Sequence, residues 1–222
     1  MIRELIDDSA GPRVRGYLHL PAKSNSEGLV LTHGAGANCQ SRLLLAVAGA
    51  FEEAGFTVLR CDLPFRQERP HGPPFPGGAE KDRAGLRRAV EVLRNSVTGR
   101  IFLGGHSYGG RQATMLLAEE PLVAGLLLLA YPLHPPRKPE QIRTGHFPKL
   151  TTPAMFVHGS RDPFGSQDEM QSALKLIVAP TRLLEVARAG HEVLDKKAAD
   201  GLPAQIVSVF QEFFGESQAA HS

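Results

Sequence analysis

The segment from residue 105 to residue 109 restricts the fold of this chain more than any other. It reads Gly-His-Ser-Tyr-Gly, a G-x-S-x-G pattern centred on Ser107. An apolar run at 101–104 precedes it, and a run with helical character at 111–120 follows. This order predicts a buried strand, a sharp turn with the serine at its tip, and a helix. Glycine is needed two residues before and after the serine, because strand and helix nearly touch there. The competing interpretation is a glycine-rich turn with an idle serine.

Length and composition indicate a single globular domain. The chain has 222 residues, of which 42% are hydrophobic and 22% are charged. We therefore expect one domain over residues 1–222, with a core at about residues 12–215 and a frayed tail at 216–222. The formal net charge of +2 is too small and too mixed to favour binding to nucleic acid or to an acidic membrane.

Neither a targeting segment nor a membrane span is expected. The first ten residues lack the apolar centre of a signal peptide, and no apolar run approaches the roughly 20 residues that a membrane helix needs. Cys39 and Cys61 adjoin predicted strands, so they are interpreted as buried thiols rather than a disulfide framework. A cytoplasmic protein fits these features.

Short apolar runs alternate with helical patterns along the chain. The predicted strands are 14–20, 29–32, 56–61, 101–103, 126–130, 154–157 and 182–186. The predicted helices are 42–54, 82–97, 111–120 and a final helix that Pro203 opens. Strands that are apolar without interruption are typical of parallel sheets buried on both faces. The predicted fold class is therefore α/β, with a doubly wound, mostly parallel sheet.

In such a sheet, functional side chains collect at the carboxyl ends of the strands. Ser107, Asp162 and His191 follow three different predicted strands in that order. A serine hydroxyl attacks a carbonyl carbon only when a base takes its proton, and His191 is the candidate base. Asp162 would fix the tautomer of His191 and stabilise its protonated form. The three residues are the predicted catalytic set.

Other residues compete for two of these roles. His106 lies beside Ser107 but on the opposite side of the entering strand, where a buried, hydrogen-bonded supporting role is expected. Asp62 and Asp168 are alternatives to Asp162, although Asp168 is expected in the first turn of a helix, where carboxylates favour the helix dipole. Of the remaining histidines, 33 and 158 are expected to brace loops, and 71, 134 and 146 lie in loops that could face substrate.

Backbone amides that would stabilise a developing oxyanion are also predicted. Tyr108 directly follows the serine, and Ala35 lies in a Gly-rich turn after an early strand. A dinucleotide site is excluded there because Cys39 occupies the third glycine position of G-x-G-x-x-G. The chain has no P-loop and no spaced Cys/His metal set. No cofactor and no metal are expected.

Four phrases give the chain a resemblance to a known superfamily. They are LTHGAGA at 31–37, VLRCDLP at 58–64, GGHSYGGR at 104–111 and HGSRDPFG at 158–165. Together they resemble the α/β-hydrolase superfamily, in its small lidless branch near the dienelactone hydrolases. Within this branch, the phrases resemble those of the group that includes testis-expressed protein 30 and the third regulatory subunit of the NSL acetyltransferase complex. The resemblance covers roughly residues 29–214.

The resemblance implies an α/β-hydrolase fold without a cap domain and hydrolase chemistry, but no particular substrate. Dienelactone hydrolases proper use a cysteine nucleophile, whereas Ser107 stands at that position here. Some relatives act in complexes after losing catalytic residues, whereas this chain keeps all three.

The connection at 131–152 is too short for a helical cap and holds several prolines, which predicts an extended flap over an open site. Phe65, Tyr131 and Phe164, with Phe75, are candidates to line a shallow acyl pocket. The arginines at 66 and 69 could meet an anionic substrate group.

The sequence thus predicts a serine hydrolase that cleaves small carboxylic esters through an acyl-enzyme on Ser107. A peptidase, an acyl-peptide hydrolase or a thioester hydrolase with the same three residues is one alternative. A non-catalytic module of a protein complex is another. The expected partner is a small-molecule ester, and the oligomeric state stays open.

Overall fold

The computed structural model describes residues 1–194 and 201–219, without the side chains of 217–219, and has one eight-stranded sheet covered by helices on both faces. The strands are β1 (Ile2–Asp7), β2 (Val14–His19), β3 (Gly28–Thr32), β4 (Thr57–Cys61), β5 (Ile101–His106), β6 (Gly125–Leu129), β7 (Ala154–Gly159) and β8 (Thr181–Val186). The helices are α1 (Arg42–Glu53), α2 (Pro64–Glu68), α3 (Ala79–Arg94), α4 (Tyr108–Glu119), α5 (Gln167–Leu174) and α6 (Leu202–Ala219), with a short 3-10 helix at Phe147–Lys149.

The strands lie in the order β1-β2-β4-β3-β5-β6-β7-β8. The first two pairs are antiparallel, and the six strands from β4 to β8 are parallel. From β3 the chain first adds β4 on one side and then β5 on the other. Ligand crevices form at such a reversal, outside the carboxyl ends of the strands. The predicted doubly wound, mostly parallel sheet is confirmed.

Alternate residues of each central strand pack into separate cores on the two faces of the sheet. Val30 and Leu103 belong to the core that α3, α4 and α5 cover. Leu29, Leu31 and Phe102 belong to the core beneath α1 and α6. Because both faces are buried, these strands are apolar without interruption.

Helix α6 is held by an aromatic cluster. Phe210 and Phe214 lie 4.8 and 4.9 Å from Phe102, measured between ring centroids. A Cβ atom at Gly125 would lie 2.1 Å from the Phe214 ring, so the glycine is what lets α6 approach β6. Ile206 and Phe213 are also buried, so one apolar stripe of α6 faces the core.

The sequence patterns missed two elements. Strand β1 is a mostly exposed edge strand without an apolar run, and α2 is a short helix in a proline- and glycine-rich stretch after β4. The short helix α5 agrees with the helix in whose first turn Asp168 was expected. Strands β5 and β7 also extend past their predicted ends to His106 and Gly159. These extensions carry polar or glycine residues that local hydrophobicity cannot assign to a sheet, although the sheet buries them.

The polar tail continues as helix α6 to Ala219, beyond the point at which we expected fraying, and residues 220–222 lie outside the described part. Between β6 and β7 the structure has only the short 3-10 helix. The absence of a cap domain in this connection agrees with the prediction. None of the described helices has both the length and the apolarity to cross a membrane.

Candidate active site

Ser107 lies at the tip of a tight turn between β5 and α4. Its backbone has φ 49° and ψ −113°, a conformation that L-residues rarely adopt. A Cβ at Gly105 would lie 2.6 Å from the amide nitrogen of Gly110, and a Cβ at Gly109 would lie 2.5 Å from the His33 carbonyl oxygen. Any side chain at these glycines would therefore push strand and helix apart. The predicted strand–turn–helix is present and projects the serine from the sheet.

The structure brings the three predicted catalytic residues together in one hydrogen-bonded relay. Ser107 Oγ lies 2.7 Å from His191 Nε2. His191 Nδ1 lies 2.8 and 3.0 Å from the two carboxylate oxygens of Asp162. With Nδ1–H donating to the carboxylate, Nε2 is free to accept the serine proton. The Asp162 side chain is fully buried and also accepts the Phe164 amide at 2.9 Å.

The loops after β7 and β8 are hydrogen-bonded to each other, and these bonds fix the distance between Asp162 and His191. The amide of Arg161 donates to the Ala189 carbonyl at 2.8 Å, and the amide of Arg188 donates to Ser160 Oγ at 2.8 Å. A Cβ at Gly159 would lie 2.5 Å from the carbonyl oxygen of Ala189. Gly159, at the end of β7, therefore lets the loop after β8 approach closely. This approach brings His191 into hydrogen-bonding distance of Asp162.

His106 holds the backbone of His191 in place. Its Nε2–H donates to the backbone carbonyl of His191 at 3.0 Å, and the two rings are 5.3 Å apart. Burial lowers the pKa of His106, so the ring is neutral and acts as a hydrogen-bonding brace. This is the buried supporting role expected from the sequence.

Arg66 holds the loop that carries Ala35. Its guanidinium donates to the carbonyl oxygens of Ala35 at 2.7 Å and Ala37 at 2.8 Å, and to those of Arg69 and Gly72 at 3.0 Å. The side chain is buried with all these donors engaged. The expectation that Arg66 could meet an anionic substrate group was wrong, because the loop carbonyls already use its donors.

Ala35 and Tyr108 both lie at the cavity that Ser107 lines. Tyr108 is the first residue of α4, so no helical hydrogen bond uses its N–H. Ala35, Ser107 and Tyr108 line the same cavity. Among the described residues, the Ala35 amide donates to no protein acceptor. Ala35 and Tyr108, the two residues predicted to stabilise an oxyanion, therefore both border the cavity beside Ser107.

His33 and Asp62 brace the same loop. His33 Nδ1–H donates to the Gly34 carbonyl at 2.8 Å, and its Nε2 accepts the Leu63 amide at 3.1 Å. Asp62 accepts the amide of Cys39 at 2.7 Å. Asp62 is thus occupied away from His191. Asp168, the other alternative acid, is exposed in the first turn of α5, as its position in the sequence predicts.

A cavity of about 430 Å³ opens beside Ser107. Its remaining lining residues are Pro73, Pro74, Arg111, Pro132, Arg143 and Phe164. The Phe164 ring lies 4.1 Å from the His191 ring, so this residue is placed where a pocket wall was predicted.

The other two predicted pocket residues lie in the core instead, which is a correction. Phe65 is 5% exposed and packs its ring 5.7 Å from that of Tyr108. Tyr131 is 1% exposed and donates its hydroxyl to the Arg143 carbonyl at 2.9 Å. Both follow strands of the site, but they turn inward to fill space beneath it. Phe75 is exposed and lies against Arg69 in the loop after α2.

Sequence reasoning missed two arginines of the cavity. Arg111 lies one helical turn after Ser107, and this spacing could have placed it beside the serine. Arg143 lies in the β6–β7 connection, where no periodic pattern indicates its direction. Of the three loop histidines, His71 is exposed, His134 is buried against the Pro135 carbonyl, and His146 contacts the Thr114 hydroxyl at 2.8 Å.

The part of the chain that the structure describes contains no group of three or more His, Cys, Asp or Glu side chains arranged to hold a metal ion. A serine hydroxyl hydrogen-bonded to an imidazole that a buried carboxylate orients is the arrangement that nucleophilic acyl transfer requires.

Comparison with known proteins agrees with this architecture. A dienelactone hydrolase from Anabaena variabilis superposes with a TM-score of 0.76 at 21% identity, covering 97% of each chain. An α/β serine hydrolase without a lid from Xanthomonas campestris has a TM-score of 0.71 at 18% identity, covering 94% of each chain. An α/β serine hydrolase homologue from Coxiella burnetii has a TM-score of 0.76 at 15% identity, covering 93% of this chain and 96% of the other. At such identities the likeness establishes the α/β-hydrolase fold. The model of the alpha/beta hydrolase domain family matches residues 25–211, and the chain therefore belongs to that family of hydrolases.

Proposed function

We propose that this protein is a serine hydrolase that cleaves small carboxylic esters through an acyl-enzyme on Ser107. The observation that carries the proposal is the continuous relay from Ser107 Oγ through His191 to the buried carboxylate of Asp162, with steps of 2.7 and 2.8 Å. A structural serine needs no such base, and a buried carboxylate is costly unless its partners repay the burial. The relay also opens onto a cavity that can hold a small substrate.

The reaction proceeds by general-base-assisted attack. His191 Nε2 takes the hydroxyl proton as Ser107 Oγ bonds to the carbonyl carbon, and Asp162 stabilises the protonated imidazole. The carbonyl oxygen becomes an oxyanion, which the amides of Ala35 and Tyr108 stabilise. As the tetrahedral intermediate collapses, His191 gives the proton to the departing alcohol. Water then attacks the acyl-enzyme by the same steps and releases the acid.

The shape of the site favours small esters. The cavity is walled by loops, and the β6–β7 connection adds no helical layer over it. The described part of the chain contains no second domain that would select peptides. The same relay would serve a thioester or an activated amide, and the preference among these is a matter for measurement.

The experiment combines labelling with a matched substrate panel. A fluorophosphonate probe should label the protein at Ser107, and Ser107→Ala should lose both the label and the hydrolysis of p-nitrophenyl acetate while keeping its melting temperature. Matched acetyl esters, thioesters and amides should rank with the ester first. A Ser107→Ala variant as active as the parent would refute the nucleophile, and an unlabelled, inactive parent would favour a non-catalytic module.

Two finer assignments accompany the proposal. The four sequence phrases support a relationship to the group that includes testis-expressed protein 30 and the NSL-complex subunit. The two free cysteines are buried, and burial raises the pKa of Cys39 to about 12, so both thiols are protected in their reduced form. A cytoplasmic location is proposed from the sequence, and microscopy of a tagged chain would test it.

A further inference from the structure

Two arginines face the cavity beside Ser107 without carboxylate partners. Arg111 comes from α4, and Arg143 comes from the β6–β7 connection. Among the described residues, neither guanidinium forms an ion pair. Arg111 Nε is buried and donates to no protein acceptor. A charge that is partly removed from water without a counter-charge is unfavourable, so this cavity favours an anionic occupant.

The two cations also repel each other. The pKa of Arg143 is lowered by burial and then by the charge of Arg111. The same charge acts on His146, whose pKa falls to about 4, mainly because the ring is buried, so this ring is neutral at pH 7. The carboxylate of Asp82, which lies beside Tyr108, accepts the Tyr108 hydroxyl at 2.7 Å and the Phe65 amide. Among the described residues, no carboxylate is paired with either arginine.

Both arginines are held in place from the backbone. The amide of Arg111 donates to the Ser107 carbonyl at 3.0 Å. The amide of Arg143 donates to Leu133 at 2.7 Å, and its carbonyl accepts the Tyr131 hydroxyl at 2.9 Å. The backbones of Arg111 and Arg143 are therefore fixed relative to the serine. Pro132 and Phe164 supply the apolar walls of the cavity.

We propose that Arg111 and Arg143 form an anion-binding subsite, and that the substrate is an ester carrying a carboxylate or phosphate group on its acyl or alcohol part. Paired guanidinium groups bind such oxyanions through charge-assisted hydrogen bonds, and both of these arginines line the cavity beside the nucleophile. The proposal rests on the hydrolase function proposed above and names its substrate class.

The test uses pairs of esters that differ in one anionic group. Methyl hydrogen glutarate is compared with methyl pentanoate for an acyl-side anion, and 4-acetoxybenzoate with phenyl acetate for an alcohol-side anion. Replacing the benzoate by 4-acetoxyphenyl phosphate separates phosphate from carboxylate. We expect kcat/KM to be about tenfold or more higher for the anionic member of at least one pair, in line with typical charged hydrogen bonds.

Arg111→Gln and Arg143→Gln should each lower the ratio of anionic to neutral kcat/KM by about tenfold. Arg137→Gln is the matched control, since Arg137 lies in the same connection but is exposed and outside the cavity lining. It should leave the ratio unchanged. A binding measurement is independent of turnover: Ser107→Ala protein should bind glutarate, benzoate or inorganic phosphate by calorimetry, and Ser107→Ala combined with Arg111→Gln should not.

The outcomes separate this inference from the proposed function. Neutral esters turned over as fast as anionic ones, with no anion bound by Ser107→Ala protein, would overturn the subsite and leave the hydrolase intact. The subsite would also be overturned if neither Arg111→Gln nor Arg143→Gln changed the ratio of anionic to neutral kcat/KM. The same holds if Arg137→Gln lowered this ratio equally. No turnover of any ester and no labelling of Ser107 would refute the proposed function, while anion binding lost in Arg111→Gln would still support the subsite.

Discussion

At the scale of single residues, Asp162 is distinguished by its burial and its partners. Its carboxylate touches both His191 Nδ1 and the Phe164 amide, whereas Asp168 is exposed at the start of α5. Asp162→Asn keeps the shape but favours the wrong histidine tautomer, and kcat should fall by about 10³–10⁴-fold. Asp168→Asn is the matched control and should keep full activity. Steady-state kinetics on p-nitrophenyl acetate show which aspartate is the acid. An inactive Asp168→Asn together with a near-normal Asp162→Asn would assign this role to Asp168.

His146 gives a residue-scale prediction about stability. Burial, aided by the charge of Arg111, lowers its pKa from 6.5 to about 4. Between these values the unfolded chain binds the proton more tightly than the folded one, so stability is lost as the pH falls below 6.5. For this group the loss is about 2 kcal/mol by pH 5.

Urea unfolding at pH 7.5 and pH 5 measures the effect of His146. His146→Gln should lose less stability over this range than the parent, because glutamine does not titrate. The exposed His71 provides the control, since His71→Gln should follow the parent. Equal losses in the parent and His146→Gln would show that this ring does not resist protonation in the fold.

At the scale of elements, the catalytic geometry depends on how the loop after β3 is held against α2. Arg66 on α2 binds four carbonyl oxygens, of which Ala35 and Ala37 belong to that loop. Arg66→Lys keeps the charge but cannot donate in as many fixed directions. We expect kcat to fall about tenfold or more with a smaller change in KM, because a displaced oxyanion donor weakens mainly the transition state.

Arg69→Lys is the matched control for Arg66, since this side chain lies over Phe75 rather than on the loop carbonyls. Kinetics on a neutral ester and a melting curve are measured together. A normal kcat in Arg66→Lys would show that the Ala35 loop holds its position without the guanidinium.

At the scale of the whole molecule, the open connection between β6 and β7 limits the substrate. Long acyl chains gain roughly 0.8 kcal/mol per buried CH₂ only where a wall exists to bury them. The cavity of about 430 Å³ is lined by prolines and a phenylalanine, and the β6–β7 connection places no helical layer over it. We expect kcat/KM on neutral p-nitrophenyl esters to be highest from acetyl to butyryl and to fall beyond hexanoyl, without interfacial activation. A maximum at decanoyl or longer would contradict this view of the site.

The sequence by itself determined the sheet class and the identity of the relay residues. Parallel strands deliver their carboxyl ends to one edge, so residues that follow separate apolar runs, such as Ser107, Asp162 and His191, can be expected to meet without knowledge of the loops. The glycines around Ser107 also indicate the sharp turn between strand and helix, because the turn leaves no space for a side chain at their positions.

Only the tertiary structure decided which side chains line the cavity. Within the connection after β6, Tyr131 points into the core whereas Arg143 lines the cavity. A strand or helix period fixes side-chain direction within an element. The path of an irregular loop is fixed instead by contacts with distant elements, and these contacts exist only once the chain has folded.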